Sequence, residues 1–204
     1  MIRVLLADDH EIVRDGLKRI LGATQDLQVA GEAANGDQAL ALVKTNAYDV
    51  AVLDMSMPGL AGLDLIKRVK LEKPGLNVLV LSMHGEQQYA ARALKAGASG
   101  YLTKDSAAEQ LVGAIRKVAA GGMHVSEAAA AGLVHGMRAP LERLTDREFE
   151  VLRLLADGRS PTEIAEKLHL SVKTVSTHKA NIQLKLGLAG TADLVRYALE
   201  QKLV

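Results

Sequence analysis

Five polar side chains in the first half of the chain follow short apolar runs, each near the point where its run ends. Asp8 and Asp9 follow the first run, Asp54 ends the third, Ser82 ends the fourth, and Lys104 comes after the fifth. Three carboxylates in one place repel one another unless a cation neutralises them. Oxygen ligands suit a hard ion such as Mg²⁺, while Lys104 adds a positive charge and Ser82 a hydroxyl donor.

These residue types together favour phosphoryl transfer. In that reaction a metal offsets the charge of the transferring group, a lysine and a hydroxyl hold its oxygens, and a carboxylate can attack phosphorus. We predict that Asp54 is the nucleophile, because it is central among the run ends and the turn after it frees the Ser56 carbonyl for the metal. One Asp at a strand end is usually a turn former or a helix cap. The fact that all five polar residues lie near the ends of such runs favours one shared site.

The elements that must position these residues alternate regularly. Short β-type runs lie at 2–7, 27–33, 49–54, 77–82 and 99–102, with apolar stripes at helical spacing between them. Strict alternation of strand and helix predicts an α/β fold with a doubly wound, flavodoxin-like, five-stranded parallel sheet covered on both faces. With the strand order 2-1-3-4-5, the carboxyl ends of strands one, three, four and five surround one pocket.

The pattern changes after about residue 121. Residues 122–140 are rich in Ala and Gly, and we predict a linker there, with a short helix at 126–137. Residues 141–204 show helical patterns only, with Thr145, Ser160 and Ser171 as N-caps of three helices and a fourth helix at the end. The expected organisation is therefore a phosphoacceptor domain at 1–121, the linker, and an all-α four-helix domain at 141–204.

Composition narrows the classes of function. The chain of 204 residues is 49% hydrophobic, so it can form real cores, and its net charge of +1 indicates no partner by itself. Aromatic residues make up 2%, which disfavours base stacking as a mode of nucleic-acid binding. The absence of cysteine excludes disulfides and thiolate metal sites and favours a reducing compartment, which we take to be the cytoplasm. We expect neither a signal peptide nor a membrane partner.

Residues 171–190 carry three lysines and no acid, so their local charge is +3. A positive helix after a short turn suits docking in a major groove of double-stranded DNA. A solvated helix face also explains three lysines, and these residues alone do not separate the two interpretations. We expect the apolar stripe of this helix, Val172, Val175, Ile182 and Leu186, to face the core. The side chains expected outside the stripe, and so available to phosphates or base edges, are Lys173, Thr174, Ser176, Thr177, Lys179, Asn181 and Lys185.

The motifs "LLADDH", "VLDMSMPG", "VLVLSMHG" and "GASGYLTKD" resemble the receiver domain of bacterial response regulators. The resemblance implies that a sensor histidine kinase phosphorylates Asp54. It implies further that Asp8, Asp9, Asp54 and the Ser56 carbonyl hold Mg²⁺, that Ser82 and Lys104 bind the phosphoryl oxygens, and that Tyr101 is the rotating aromatic of the switch. We expect His84 at the pocket rim. Many receivers have Pro directly after the lysine, where this chain has Asp105.

The stretch "LTDREFEVLRLLADGRSPTEIAEKLHLSVKTVSTHKANIQLKLG" resembles the LuxR-type helix-turn-helix. With the receiver motifs, it makes the whole chain similar to a NarL/FixJ-type response regulator. The resemblance implies that a helix at 161–168 supports a recognition helix at 171–186. It also implies a homodimer on DNA after phosphorylation, with a face on the final helix at Val195, Ala198 and Leu199, and RNA polymerase as a further partner.

These inferences predict a phosphorylation-gated, DNA-binding regulator of transcription rather than an enzyme. One alternative is a small phosphatase or phosphotransferase that uses Asp54 covalently. Such enzymes usually need an acid two residues after the nucleophile, where this chain has Ser56. Another alternative is a regulator whose first domain serves only as a protein-interaction module. The acids and the lysine that it retains disfavour that interpretation.

Overall fold

The computed structural model describes residues 1–83, 87–125, 140–201 and 203. His84 and the short helix expected at 126–137 lie outside the described residues. The chain divides into two compact units, an N-terminal unit of residues 1–130 and a C-terminal unit of residues 131–204.

The N-terminal unit contains a five-stranded sheet with the order β2-β1-β3-β4-β5, in which every neighbouring pair is parallel. The strands are β1 (Ile2–Ala7), β2 (Leu27–Ala33), β3 (Val50–Asp54), β4 (Asn77–Ser82) and β5 (Gly100–Thr103). The helices that alternate with them are α1 (Glu11–Gly22), α2 (Gly36–Thr45), α3 (Gly62–Glu72), α4 (Gln87–Lys95) and α5 (Lys104–Ala119). The predicted doubly wound fold class and the predicted strand order are confirmed.

The central strand β3 is buried along its whole length, from Val50 to Asp54. It lies between β1 and β4, and the side chains on both of its faces are buried. Burying each Val or Leu of this strand contributes roughly 1.5–3 kcal/mol. The carboxylate of Asp54 is therefore carried at the end of a strand that is buried at every position.

The free edge of β5 is partly occupied by the chain that leaves α5. The N–H of Tyr101 donates to the carbonyl of His124 at 2.8 Å, and the N–H of His124 donates to the carbonyl of Ser99 at 3.1 Å. Gly100 allows this close approach, because a Cβ there would lie 2.8 Å from the His124 carbonyl oxygen. The segment that leads out of the sheet is thus fastened beside Tyr101.

In its described residues, 140–201 and 203, the C-terminal unit contains a 3-10 turn (Pro140–Arg143) and four helices, which confirms the predicted all-α domain. They are α6 (Asp146–Ala156), α7 (Pro161–Leu168), α8 (Val172–Leu186) and α9 (Thr191–Glu200). Thr145, Ser160 and Ser171 are the N-caps of the first three, as their sequence pattern predicts. Between α7 and α8 the chain turns at His169, which has a left-handed backbone with φ of 52°.

Phe149 of α6 is fully buried and fills the core of this unit together with Ile182 of α8 and Leu194 of α9. The second helix contributes Ile164, which is also fully buried. Among the described residues, none of the helices combines the length and the apolar character needed to cross a membrane.

Candidate functional site

The carboxyl ends of three strands bring acids and a lysine together as predicted. We call Asp8, Asp9, Asp54 and Lys104 the acid pocket. Asp8 and Asp54 are each 1% exposed. The Nζ atom of Lys104 lies 2.6 Å from Oδ2 of Asp8 and 3.0 Å from Oδ2 of Asp54. One ammonium group thus contacts both buried carboxylates, which lie at the ends of neighbouring strands.

The charges of the acid pocket do not balance, because it contains three carboxylates and one ammonium group. Burial raises the pKa of Asp54, the Lys104 ammonium opposes that rise, and the negative charge of Asp8 adds to it, so the pKa lies above its ordinary value. Burial would lower the pKa of Lys104, but the contacts with Asp8 and Asp54 outweigh it and raise that pKa. Asp8 and Asp54 therefore share one ammonium group in a place that water reaches poorly, and Asp9 adds a third, exposed carboxylate beside them.

The donor set fits a hard divalent cation. Possible ligand atoms of Asp8, Asp9, His10 and Asp54 all lie within 4.8 Å of one another. Carboxylate oxygens are the ligands that Mg²⁺ prefers, and the excess negative charge is what such an ion would neutralise. Our sequence interpretation did not include His10, whose N–H donates to Oδ1 of Asp8 at 2.8 Å and whose Nδ1 lies 3.1 Å from Oδ1 of Asp9. Its place directly after the two acids was the available signal.

The remaining predicted residues of this site lie around Asp54. The N–H of Ser56 donates to Oδ1 of Asp54 at 3.2 Å, so the turn after β3 folds back on the carboxylate. Ser82 is 1% exposed and follows Leu81, the residue that pairs with Asp54 across the sheet. Tyr101 is 6% exposed, so its ring is already enclosed by protein. Asp54, Ser56 and Ser82 thus lie at one sheet edge.

Two braces of the pocket were not predicted. The guanidinium of Arg14 in α1 donates to the backbone carbonyl of Asp8 at 2.6 Å and so holds the end of β1. On the other side, Gly36 at the start of α2 abuts the carbonyl of Leu60 so closely that no Cβ fits there. A carboxylate oxygen of Asp37 also accepts the N–H of Leu60 at 3.4 Å. The turn-forming residues "NGDQ" at 35–38 were the available sequence signal for this second brace.

The predicted recognition helix is α8, and it presents a polar face. Val175 and Ile182 are buried on its inner side. Val172, which we expected in the same apolar stripe, is 45% exposed, so that assignment is wrong, because the residue begins the helix outside the core. Of the predicted DNA-contacting residues, Lys173, Ser176, Thr177 and Asn181 are exposed, whereas Thr174, Lys179 and Lys185 are half-buried.

Several polar side chains of α8 already have partners within the unit. The hydroxyls of Ser176 and Thr177 each donate to a carbonyl one turn earlier, at 3.0 Å. The ammonium of Lys179 donates to the hydroxyl of Thr191 at 3.2 Å. The ammonium of Lys185 lies 2.6 Å from the carboxylate of Glu148 in α6. Lys173 and Asn181 thus belong to the exposed polar face, while Lys185 is engaged with α6.

The dimer face expected on α9 needs one correction. Ala198 is fully buried and packs inside the unit, so it is not part of an outer face. Leu199 is 55% exposed, and Val195 is half-buried. The residues face different ways because successive positions on a helix differ by about 100°.

Two family models match the chain. Residues 4–116 match the response regulator receiver domain. Residues 142–198 match the model described as bacterial regulatory proteins, luxR family. The first range contains the whole acid pocket, and the second contains α6, α7, α8 and most of α9.

Curated relatives match over the full length. The chain is 35% identical to the response regulator UvrY of Escherichia coli strain K12, with 100% of this chain and 96% of UvrY covered. It is 38% identical to the oxygen regulatory protein NreC of Staphylococcus epidermidis, with 100% and 99% covered.

Solved structures of the response regulator RcsB also match. One from Salmonella typhimurium gives a TM-score of 0.78 at 30% identity and covers 98% of each chain. RcsB of Salmonella enterica serovar Typhimurium bound to the promoter rprA with the phosphomimetic BeF3− gives 0.72 at 30% identity, covering 96% of this chain and 97% of that one. A structure of two RcsB dimers bound to two parallel DNAs gives 0.62 at 32% identity and covers 98% of each chain.

Proposed function

Because the chain belongs to the NarL/FixJ-type response regulators, in which a receiver domain precedes a LuxR-type DNA-binding domain, we propose that phosphorylation of Asp54 controls its binding to DNA. The acid pocket carries the proposal. The proposed nucleophile Asp54, the positive charge of Lys104 and a cluster of metal-type ligands meet at the end of β3, which is buried along its whole length. The proposed organisation is a receiver domain at 1–121, a linker at 122–140 and a DNA-binding domain at 141–204.

In the proposed reaction a carboxylate oxygen of Asp54 forms a bond to phosphorus while the bond from phosphorus to a histidine nitrogen of a sensor kinase breaks. The product is an aspartyl phosphate, and the imidazole keeps the electron pair of the broken bond and takes a proton from solvent. The N–H of Ser56 and the ammonium of Lys104 orient the attacking carboxylate. After transfer, Lys104 and the hydroxyl of Ser82 hold the phosphoryl oxygens.

The acids of the pocket are also the proposed metal ligands. Asp8, Asp9, Asp54 and the backbone carbonyl of Ser56 would hold Mg²⁺, which when bound supplies positive charge that offsets the charge of the phosphoryl oxygens. The protein's own contacts position these acids, because Arg14 fixes the end of β1 and Lys104 bridges Asp8 and Asp54.

The proposed switch is the edge formed by Ser82 and Tyr101. When the hydroxyl of Ser82 moves toward the phosphoryl group on Asp54, it changes the space beside Tyr101, which lies on the neighbouring strand. The N–H of Tyr101 is bonded to His124, so the change reaches the segment that leads out of the N-terminal unit. This contact gives the phosphoryl group a physical route to the linker.

The proposed DNA contacts lie on the exposed face of α8, in the major groove. Lys173 is suited to phosphates, while Ser176, Thr177 and Asn181 can reach base edges. RcsB, which matches along 98% of this chain, was solved as dimers on DNA. We therefore propose a homodimer on DNA, which raises the otherwise modest affinity of each domain. RNA polymerase is the further proposed partner, and the cytoplasm is the proposed place of action because DNA is the ligand.

The test is phosphorylation of the purified chain by acetyl phosphate with Mg²⁺, followed by intact mass. The chain should gain one base-labile phosphoryl group, and the Asp54→Asn variant should gain none. Asp15→Asn is the matched control, since it removes an exposed acid of α1. Label that persists in Asp54→Asn would disprove the assignment, and turnover of free phosphoesters would favour the enzyme alternative. Genome-wide binding should then be stronger for the wild-type chain than for Asp54→Asn.

A further inference from the structure

Glu148 is a buried carboxylate that links the first turn of α6 to the last turn of α8. It is 3% exposed. Its Oε2 atom accepts the N–H of Thr145 at 2.8 Å and lies 2.6 Å from Nζ of Lys185. The hydroxyl of Thr145 in turn accepts the N–H of Glu148 at 3.3 Å. One oxygen therefore completes the cap of α6 and holds the end of α8.

This pair differs from an ordinary surface ion pair. A buried carboxylate that loses its partner is strongly destabilising, so the position of Lys185 relative to Glu148 is confined. The side chain of Lys185 is 33% exposed, which places its ammonium at the edge of the core. At the other end of α8, Val175 is buried and Ser171 caps the helix. The helix is thus held at both ends.

We propose that Glu148 is a positioning residue for DNA binding, because through Lys185 it fixes the C-terminal end of α8 and so the direction of its exposed face. The inference rests on the proposed role of α8 as the DNA-binding helix. It replaces the DNA contact expected of Lys185 with a contact inside the protein. Lys173 is then the exposed lysine of α8 that is available to phosphates.

The salt dependence of binding separates the two roles of Lys185. Each phosphate contact contributes about 0.9 to the slope of log affinity against log salt concentration. If Lys185 only positions α8, Lys185→Met lowers the affinity and leaves the slope unchanged. If Lys185 contacts a phosphate, the same change lowers the slope by about 1. Lys173→Met is the matched control for a phosphate contact and should lower the slope.

The effect of Glu148→Gln on DNA affinity has one sign if Glu148 positions α8 and the opposite sign if Glu148 acts only through its charge. Glutamine also serves in a capping box, so the cap of α6 is kept while the ion pair is lost. Removing a negative charge from a DNA-binding domain raises its affinity if electrostatics alone acts. If Glu148 positions α8, the affinity falls by about fivefold or more, the range of a typical coupling between sites. An unchanged or raised affinity overturns the proposal.

The measurement is fluorescence anisotropy of a labelled random-sequence duplex with the full chain, phosphorylated by acetyl phosphate with Mg²⁺, at several salt concentrations. Circular dichroism checks the helix content of each variant. The double variant Glu148→Gln with Lys185→Met should bind about as weakly as either single variant, because both break the same contact. If Glu148→Gln does not fold, the double variant decides: a wild-type slope supports the proposal and a slope lower by about 1 overturns it. No DNA binding by the wild-type chain, either before or after phosphorylation with acetyl phosphate and Mg²⁺, would overturn the proposed function itself.

Discussion

Both units contain a buried carboxylate in contact with a lysine, but the two places differ in how well the charges balance. In the acid pocket Lys104 contacts Asp8 and Asp54 at once, and Asp9 adds a third negative charge. In the C-terminal unit Glu148 and Lys185 form a pair of one carboxylate and one ammonium. The first arrangement retains excess negative charge, whereas the second is neutral.

The pKa values of the two carboxylates also move in opposite directions. Burial raises the pKa of Asp54 and the negative charge of Asp8 adds to it, so the charge of Lys104 does not compensate fully. Burial also acts to raise the pKa of Glu148, but the hydrogen bonds from Lys185 and Thr145 outweigh it and lower that pKa. An unbalanced pocket is suited to bind a cation and to react, while a balanced one is suited to hold helices together.

Among the predicted changes in stability, the largest should come from removing the ammonium group of Lys104. Lys104→Met leaves Asp8 and Asp54 buried together without their ammonium, and we expect the free energy of unfolding without Mg²⁺ to fall by about 3 kcal/mol. Urea unfolding followed by circular dichroism measures it. The control is Lys44→Met, which breaks an exposed ion pair with Glu72 and should change stability by less than about 1 kcal/mol. Equal effects of both changes would contradict a special charge balance in the pocket.

Mg²⁺ should stabilise one unit and not the other. At ten to one hundred times its dissociation constant, the ion should add about 1–3 kcal/mol to the stability of the N-terminal unit, because it neutralises the acid pocket. Hydrogen exchange read by mass spectrometry should show the added protection in β1 and β3, with α6 and α8 unchanged. Asp8→Asn should reduce the response. Equal protection of both units would show that the ion acts elsewhere.

The same acid-to-amide substitution should change the stability of the chain in opposite directions at the two sites. Without Mg²⁺ at neutral pH, Asp54→Asn removes one crowded charge and should stabilise the chain by about 1 kcal/mol. Glu148→Gln removes the charged partner of Lys185 and should destabilise it by about 1–2 kcal/mol. Chemical denaturation of the two variants beside the wild-type chain gives both values. Two changes of the same sign would remove the distinction between the unbalanced and the balanced site.

The smallest predicted effect is the pH dependence that Glu148 contributes. Its pKa in the folded chain lies below the ordinary value of 4.5 that it has when unfolded. The unfolded chain therefore binds the proton first, so this stabilisation is fully present above about pH 4.5 and is lost as pH falls through the folded pKa. The difference in stability between the wild-type chain and Glu148→Gln should shrink over that window. A difference that stays constant down to pH 3 would contradict the assigned direction.

Much of the fold and of the acid pocket could be predicted, because both follow from local patterns. The alternation of strand and helix leaves few topologies, and the order 2-1-3-4-5 then brings Asp8, Asp54 and Lys104 to one sheet edge. The caps at Thr145 and Ser171 were also local signals. Arg14 and His10 were not predicted, because their partners depend on how α1 leaves the sheet.

On α8 and α9 the sequence pattern alone was insufficient. Lys185 and Lys173 are the same residue type on one helix, yet the first faces Glu148 in α6 and the second faces outward. Ala198 was expected on an outer face, but it is buried within the unit. The direction of a side chain on a short amphipathic helix depends on the helices packed against it, which helical periodicity does not reveal.

The order of residues by itself determined the two fold classes, the strand ends that carry the acids, and the helix that carries the lysines. Periodicity, capping and the placement of glycine and proline are local properties, and they were sufficient for that. Only the tertiary structure decided which carboxylates share an ammonium group and which have one of their own. That balance depends on distances between residues far apart in the chain. The same distances decide that burial raises the pKa of Asp54 while hydrogen bonds lower the pKa of Glu148.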